Sequence, residues 1–176
     1  MARAPRGLHR IRMVMMDVDG VLTDGRIVLD ARGGESKSFF SQDGVALRLW
    51  SDAGGLTAFV TGRASRAVER RARELEITEL SMNAARKLEA YERICRRHRL
   101  ADEEVCFIGD DLVDLPPMRR AGFPVAVRNA VAEVKRAARY VTRLRGGEGA
   151  VRETLRHILV AQGRWAPLLR RFETVS

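Results

Sequence analysis

The stretch Asp17-Val18-Asp19-Gly20-Val21-Leu22-Thr23-Asp24 is the most informative segment of this chain. It follows residues 11–16, an apolar run interrupted only by Arg12 and typical of a buried strand. Side chains two residues apart on a strand point the same way, so Asp17 and Asp19 are expected to leave the strand end side by side. Because two adjacent carboxylates repel, they require a raised pKa or a bound cation. The pair is therefore a candidate functional site, the alternative being two solvated acids in a glycine turn.

Length and composition predict one soluble globular domain over residues 1–176. The 176 residues are 45% hydrophobic and 31% charged, which is ordinary for such a domain and enough for its own core. No run approaches the roughly 18 apolar residues of a membrane helix, and no signal peptide is evident, so no membrane partner is expected. Cys95 and Cys106 lie in apolar patterns, which predicts reduced core thiols in a cytoplasmic protein.

The basic charge of the chain raises the question of a nucleic-acid partner. The formal net charge is +9, but of the 32 basic residues only Lys37, Lys87 and Lys135 are lysines, which favours a coding bias over a binding surface. Residues 96–99 form the densest basic cluster and lack the interleaved aromatic residues that would stack on bases. We expect no nucleic-acid partner, although a basic surface would attract a phosphorylated substrate. The opposite hypothesis requires tight, steeply salt-dependent binding of DNA or RNA.

Strand-like and helix-like segments alternate along the chain, which predicts an α/β fold: a parallel sheet with helices on both faces. Strands are expected at residues 11–16, 56–60, 105–108, 125–127 and 140–141. Helices are expected at about residues 45–50, 65–75, 85–98, 116–121, 131–138 and 150–161. Residues 26–40 are typical of a small β-hairpin with a glycine turn. The C-terminal tail, about residues 163–176, is expected to be loose.

Polar residues follow three of the predicted strands. Asp17 and Asp19 come after the first strand, Thr61 after the second, and an acidic group after the third. That group consists of Asp110, Asp111 and Asp114. In parallel α/β sheets, ligands bind beyond the carboxyl ends of the strands. Three such coincidences disfavour the alternative that all these residues are merely solvated turns.

The acidic residues suggest phosphoryl transfer. Asp17, first off its strand, is a candidate nucleophile that would form an aspartyl-phosphate. Asp19 is placed to protonate the leaving oxygen and then to activate water. Together with a phosphate these carboxylates would carry a large negative charge, which Mg²⁺ would offset. Asp17 and Asp110 are the natural ligands for that ion.

Two further positions could bind the phosphoryl oxygens. Thr61 offers a hydroxyl group, and the turn at Gly62 exposes backbone N–H groups. Lys87 can supply a fixed positive charge to the transition state, the alternative being an ordinary surface lysine of a helix. Asp114 could brace Lys87 or its own loop, or it could be a simple turn acid.

The order of these motifs resembles the haloacid dehalogenase superfamily of phosphotransferases. The matching motifs are D-x-D-G-V-L-T at residues 17–23, T-G-R at 61–63, the lysine at 87, and G-D-D-x-x-D at 109–114. Within the superfamily the chain resembles the branch that hydrolyses 3-deoxy-D-manno-octulosonate 8-phosphate (KDO 8-phosphate). The segment G-G-E-G-A-V-R-E at residues 146–153 is specific to that branch, and the likeness covers about residues 11–163.

The resemblance implies a fold and an activity. The fold would be a three-layer Rossmann-like sheet without a large cap domain. The activity would be Mg²⁺-dependent phosphate release from KDO 8-phosphate through an aspartyl-phosphate, in lipopolysaccharide precursor synthesis. The chain would form a homotetramer, in which the hairpin at about residues 26–40 helps assembly and a neighbouring subunit covers the active site near residues 146–153.

The resemblance also implies roles for individual residues. Asp17 would be the nucleophile and Asp19 the acid/base. Mg²⁺ would be held by Asp17, Asp110 and the backbone carbonyl of Asp19, with Asp111 and Asp114 supporting the site. Thr61 and Lys87 would bind phosphate. Contacts with the substrate would come from Asp19, Phe40, Ser41, Gln42, Asp43, Gly44, Arg48, Arg63, Arg71 and Lys87.

The chain departs from the branch near the expected sugar position. Met82-Asn83 stands where Gln-Gly is usual, and Phe40 and Gln42 stand where Asn and a basic residue are common. A second hypothesis therefore keeps the chemistry and changes the substrate to a nonulosonate 9-phosphate or another sugar phosphate. A third hypothesis is a non-catalytic oligomerising module of the same fold.

Overall fold

The computed structural model describes residues 7–173 and contains a parallel sheet and a small hairpin. The strands are β1 (Met13–Met16), β2 (Val28–Leu29), β3 (Glu35–Ser36), β4 (Leu56–Val60), β5 (Glu79–Ser81), β6 (Val105–Gly109), β7 (Phe123–Ala126) and β8 (Tyr140–Val141). Six of them form one sheet in the order β5-β4-β1-β6-β7-β8, with every neighbouring pair parallel. The other two, β2 and β3, pair antiparallel.

Helices cover both faces of the sheet. They are α1 (Ser41–Asp52), α2 (Arg66–Glu74), α3 (Lys87–His98), α4 (Leu115–Arg120), α5 (Ala132–Ala137), α6 (Ala150–Ala161) and α7 (Trp165–Glu173). The chain runs outward from β1 to β5, then returns past β1 to β6 and continues to β8. Because crossovers between parallel strands are right-handed, this reversal places α1 and α2 on one face and α3, α4 and α5 on the other. Helix α6 follows the last strand and packs on α1, while α3 and α5 pack on α4.

The register of the central strands brings their carboxyl ends together. Met16 of β1 lies opposite Phe59 of β4 and Ile108 of β6. All four residues of β1 are buried, as expected for a parallel strand covered on both faces. The residues after these three adjacent strands, including Asp17, therefore emerge at one edge of the sheet.

The predicted α/β fold and parallel sheet are confirmed. The hairpin predicted over residues 26–40 is also present, with its paired strands limited to Val28–Leu29 and Glu35–Ser36. Cys95 and Cys106 are both buried and free, as predicted. No helix within the described residues is long and apolar enough to span a membrane.

The structure corrects two predictions and adds a strand. The tail is not loose over residues 165–173, because it forms helix α7, in which Leu168 is buried. The Cζ atom of Arg156 lies over the Trp165 ring, 5.6 Å from the ring centre. Strand β7 covers Phe123–Ala126, so it begins two residues before the predicted strand at 125–127 and includes Pro124. Strand β5 is short and lies at the sheet edge, where its alternation of apolar and polar residues is too brief to detect. Residues 1–6, and residues 174–176 of the predicted tail, lie outside the described part of the chain.

Candidate active site

The loop after β1 is held by the hydroxyl of Thr23. Its oxygen accepts hydrogen bonds from the backbone N–H groups of Gly20 and Gly25, both at 3.2 Å. Gly20 has φ of +91°, and a Cβ there would lie 2.0 Å from the Asp110 carboxylate. Glycine is thus required for the turn and for the close approach of Asp110. Asp24 caps the following turn by accepting the N–H of Arg26 at 3.0 Å.

Lys87 lies between two buried carboxylates. Its Nζ is 2.8 Å from Asp17 and 2.7 Å from Asp114. The exposed fractions are 6% for Asp17, 4% for Lys87 and 0% for Asp114. Burial and the nearby Asp114 raise the pKa of Asp17 to about 6, although Lys87 opposes the shift. Burial disfavours the charge of Lys87, but the two carboxylates outweigh it and raise the lysine pKa.

Asp114 braces both Lys87 and its own loop. One carboxylate oxygen binds Lys87, and the other accepts the backbone N–H groups of Asp110 at 2.9 Å and Asp111 at 3.3 Å. Both oxygens of Asp114 are therefore occupied by donors within the protein. The exposed Asp111 caps the next turn by accepting the N–H of Leu112 at 2.7 Å.

Asp110 completes an arrangement that fits a divalent cation. One oxygen each of Asp17, Asp110 and Asp114 lie within 4.8 Å of one another. Asp110 Oδ1 is buried and has no hydrogen-bond partner among the described residues. Burial, followed by the charges of Asp17 and Asp114, raises the pKa of Asp110 to about 8. Since Asp114 is already occupied, the free oxygens of Asp17 and Asp110 are the ones available to a hard, oxygen-preferring cation.

A cleft of about 360 Å³ opens above these residues. Its lining includes Asp17, Asp19, Thr61, Arg63, Lys87 and Asp110. A larger groove, of about 800 Å³, lies elsewhere beside Asp102, Gly122 and Glu133. Two of its carboxylates are paired, Asp102 with Arg120 and Glu133 with Arg136. The chemistry of the lining, not the volume, therefore identifies the smaller cleft as the candidate active site.

The loop before Lys87 explains one departure from the family pattern. Asn83 has φ of +53°, in the left-handed region that glycine and asparagine tolerate best. The next residue, Ala84, donates its N–H to the carbonyl of Thr61 at 3.0 Å. Asparagine can therefore replace the usual glycine without changing the shape of the loop. The loop stays hydrogen-bonded to the end of β4, and Lys87 keeps its position as the first residue of α3.

Most predicted substrate contacts do not share this cleft. Asp19, Arg63 and Lys87 do, and Arg63 pairs with Glu35 at 2.5 Å. A separate groove of about 320 Å³ is lined by Ser41, Gly44, Arg48, Arg71 and Phe172, among others. Its two arginines are bound within the protomer, Arg48 to Glu76 at 2.8 Å and Arg71 to Glu74 at 3.2 Å. Gln42 is exposed at the start of α1.

Asp43 is buried and makes a contact that the sequence did not predict. Its side chain is 1% exposed, and one oxygen accepts the N–H of Arg152 at 2.7 Å. Burial raises its pKa to about 6 despite hydrogen bonds from the backbone of Arg152 and Gly149. The carboxyl thus caps the start of α6, and its contact with substrate stays a prediction. The Phe40 ring lies close to Gly149, the residue before α6, where an added Cβ would be 3.4 Å from the ring.

Two residues near the site escaped the sequence analysis. Lys37, after β3, contacts the carboxylate of Asp19. The only sequence signal for it is that lysine is rare in this chain, with three residues in all. Asn129 donates its side-chain N–H to the carbonyl of Gly20 at 3.0 Å and accepts the N–H of Gly146 at 2.6 Å. No local pattern marks Asn129, because its partner is 109 residues away.

Comparison with known proteins assigns the chain to a class of enzymes. The family model of haloacid dehalogenase-like hydrolases matches residues 76–153. The chain is 41% identical to 3-deoxy-D-manno-octulosonate 8-phosphate phosphatase KdsC of Escherichia coli K12, over 89% of this chain and 83% of that protein. It is 40% identical to KdsC of Salmonella typhi, with the same coverage.

Solved structures agree with this assignment. The phosphatase from Moraxella catarrhalis, in complex with magnesium, phosphate and KDO, has a TM-score of 0.93 and 36% identity, covering 95% of this chain and 96% of that one. The cobalt-bound enzyme from Haemophilus influenzae has a TM-score of 0.89 and 37% identity, covering 92% and 94%. The chain belongs to the KDO 8-phosphate phosphatase family of haloacid dehalogenase-like hydrolases.

Proposed function

We propose that this chain is a Mg²⁺-dependent phosphatase that converts KDO 8-phosphate to KDO and inorganic phosphate. The observation that carries the proposal is the convergence of Asp17, Asp110 and Lys87 in one cleft of a chain 41% identical to the E. coli phosphatase. The step would belong to lipopolysaccharide precursor synthesis. Two buried, free cysteines support a cytoplasmic location.

Asp17 is the proposed nucleophile. Lys87 binds one of its oxygens at 2.8 Å, which leaves the other oxygen to attack phosphorus. A P–O bond to Asp17 forms as the bond from phosphorus to the sugar oxygen breaks, giving an aspartyl-phosphate and the free sugar acid. The buried ammonium of Lys87 limits the charge that accumulates on the phosphoryl oxygens.

Asp19 is the proposed acid and base. It lines the same cleft two residues beyond the nucleophile and is partly exposed. It gives a proton to the leaving sugar oxygen, then takes a proton from the water that attacks the aspartyl-phosphate. Attack by water breaks the bond between Asp17 and phosphorus, which releases phosphate and restores both carboxyl groups.

The chain's residues fit a magnesium site. The side chains of Asp17 and Asp110 and the backbone carbonyl of Asp19 would hold the ion. When bound, Mg²⁺ would offset the charge of the phosphoryl group and the carboxylates. One oxygen of Asp110 has no hydrogen-bond partner within residues 7–173, and the pKa of this carboxyl is raised. Both observations support this assignment, because they indicate negative charge that these residues leave uncompensated.

Thr61 is the proposed ligand of a phosphoryl oxygen. Its hydroxyl oxygen accepts the N–H of Arg63 at 3.3 Å, so the hydroxyl proton is free to be donated. Arg63 lines the same cleft and is the proposed ligand of the anionic part of the substrate. Arg48 and Arg71 line a separate groove. They would contact substrate bound in the cleft of a neighbouring subunit, not substrate bound in the cleft of their own subunit.

A homotetramer is the proposed assembly. The hairpin exposes apolar side chains, with exposed fractions of 42% for Ile27, 53% for Val28 and 66% for Leu29. Adjacent exposed apolar residues of this kind favour a protein interface. Sedimentation velocity is expected to give the tetramer mass for the wild type and a smaller mass for Val28→Ser/Leu29→Ser; a wild-type monomer would contradict the assembly.

A phosphate-release assay tests the function. With Mg²⁺, the highest kcat/KM is expected for KDO 8-phosphate in a panel that includes nonulosonate 9-phosphates and common sugar phosphates. EDTA should abolish release, and Asp17→Asn should lower it by at least ~10³-fold, because the nucleophile is lost. A preference for a nonulosonate phosphate would change the substrate assignment. Inertness across the whole panel would favour the non-catalytic module.

A further inference from the structure

The hairpin places a buried lysine beside the loop after β1, residues 17–25, which we call the catalytic loop. Lys37 follows β3, and its side chain is only 1% exposed. Its Nζ contacts a carboxylate oxygen of Asp19 and lies 3.1 Å from Glu35. A buried ammonium group requires anionic partners, and here one of those partners is the proposed acid and base.

A second ion pair fixes Lys37 in place. Glu35 binds Lys37 through one oxygen and Arg63 through the other, at 2.5 Å. The hydrogen bond from Arg63, together with Lys37, lowers the pKa of Glu35 to about 2, so Glu35 stays ionised at neutral pH. The four side chains thus form a continuous series, Arg63–Glu35–Lys37–Asp19, from the rim of the cleft to the catalytic loop.

We propose that Lys37 is a positioning residue that sets the direction of the Asp19 carboxylate for proton transfer. A general acid works only when its oxygen lies within hydrogen-bond reach of the atom that it protonates. By binding one oxygen of Asp19, Lys37 restricts rotation of the carboxylate and leaves the second oxygen for the leaving group. The hairpin then contributes to catalysis as well as to assembly. This proposal rests on the proton-transfer role proposed for Asp19.

The dependence on leaving group tests the proposal. A sugar alkoxide leaves only with a proton, whereas para-nitrophenolate leaves without one. In Lys37→Met, kcat/KM is therefore expected to fall ~10- to 100-fold for the sugar phosphate that the wild type hydrolyses best, but less than fivefold for para-nitrophenyl phosphate. Lys37→Arg should recover part of the loss. Equal losses with both substrates would overturn the proposal, because they would indicate a general structural role.

A double-mutant cycle and a matched control complete the test. In an Asp19→Asn background, Lys37→Met is expected to cause no further loss, since its effect passes through Asp19; full additivity would overturn the proposal. Lys135→Met, which removes the lysine of α5, should leave both activities unchanged. If Lys37→Met does not fold, Glu35→Gln, which releases Lys37 without removing it, should show the same selectivity for leaving group.

The outcome is separable from that of the proposed function. A wild type that prefers another sugar phosphate changes the substrate but leaves the Lys37 comparison intact. A wild type that hydrolyses no phosphomonoester overturns the proposed function. In that case, crystal structures of the wild type and Lys37→Met decide the positioning role alone: a reoriented Asp19 carboxylate supports it, and an unchanged one overturns it.

Discussion

At the residue scale, the candidate active site holds more carboxyl groups than ammonium groups. Asp17, Asp110 and Asp114 bring three carboxyl groups close together, and Lys87 brings one ammonium group. Asp114 is fully buried and already accepts two backbone N–H groups, so it cannot turn away if the lysine is lost. Lys87 therefore stabilises these carboxylates, in addition to the catalytic role proposed for it.

Lys87→Met is expected to lower stability and activity together. Removing one partner of a buried ion pair leaves the other uncompensated, which we expect to lower the free energy of unfolding by ~3 kcal/mol. Loss of the fixed charge should lower kcat by ~10²–10³-fold. Urea denaturation at pH 7 and phosphate release measure the two effects, with Lys135→Met as the control. Adding Asp114→Asn should recover stability without activity; an unaltered stability of Lys87→Met would refute this account of the site.

At the scale of elements, the loop between β8 and α6 holds the loop after β1. Gly147 donates its N–H to the carbonyl of Val21 at 3.0 Å, and Asn129 links Gly146 to Gly20. The fit is close, because a Cβ at Gly146 would lie 1.7 Å from the carbonyl oxygen of Gly20. The glycines at residues 146–147 therefore fix the position of the catalytic loop through backbone contacts.

Gly146→Ala is expected to displace the catalytic loop. The clash is with backbone atoms, which cannot rotate away, and a shift of about 1 Å in reacting groups can lower the rate ~10²-fold. We expect kcat/KM to fall by about that factor in the phosphate-release assay. Gly163→Ala is the control: its φ of +69° predicts a loss of ~1–2 kcal/mol in stability, but no Cβ clash and no loss of activity. Normal activity in Gly146→Ala would show that the contact does not shape the site.

The sequence predicted those elements whose pattern is local. Strand β1 and the acids after it were identified because an apolar run ends at two alternating carboxylates. Strand β5 and helix α7 were missed, since a three-residue edge strand and a helix with one buried residue, Leu168, carry weak patterns. The role of Asp43 as a cap for α6 also escaped detection. Its partner, Arg152, is 109 residues away, so no spacing along the chain signals the contact.

At the scale of the whole molecule, burial of acids at the sheet edge makes stability depend on pH. Burial raises the pKa of Asp110 to about 8 and those of Asp17 and Asp43 to about 6. Between the ordinary aspartate pKa of 3.8 and these values, the unfolded chain loses protons that the folded chain retains. The free energy of unfolding should therefore fall as pH rises through this window.

Without divalent ions, the Tm is expected to fall between pH 5 and pH 8. Calorimetry in a buffer series containing EDTA measures this trend. Asp110→Asn removes the group with the highest of these pKa values, so its Tm should fall less over the same range and exceed the wild-type Tm at pH 8. A wild-type Tm that rises steadily from pH 5 to pH 8 would contradict the sign of this argument.

Convergence of Asp17 and Asp110 on one magnesium ion is the central claim, and thermal denaturation with and without Mg²⁺ tests it most directly. Because the ion would bind the folded chain alone and replace the protons of these carboxyls, Mg²⁺ should raise the wild-type Tm, and more at pH 8 than at pH 5.5. Asp110→Asn should lose this response, whereas Asp111→Asn should keep it. A Tm insensitive to Mg²⁺, or an equal response in wild type and Asp110→Asn, would contradict the claim.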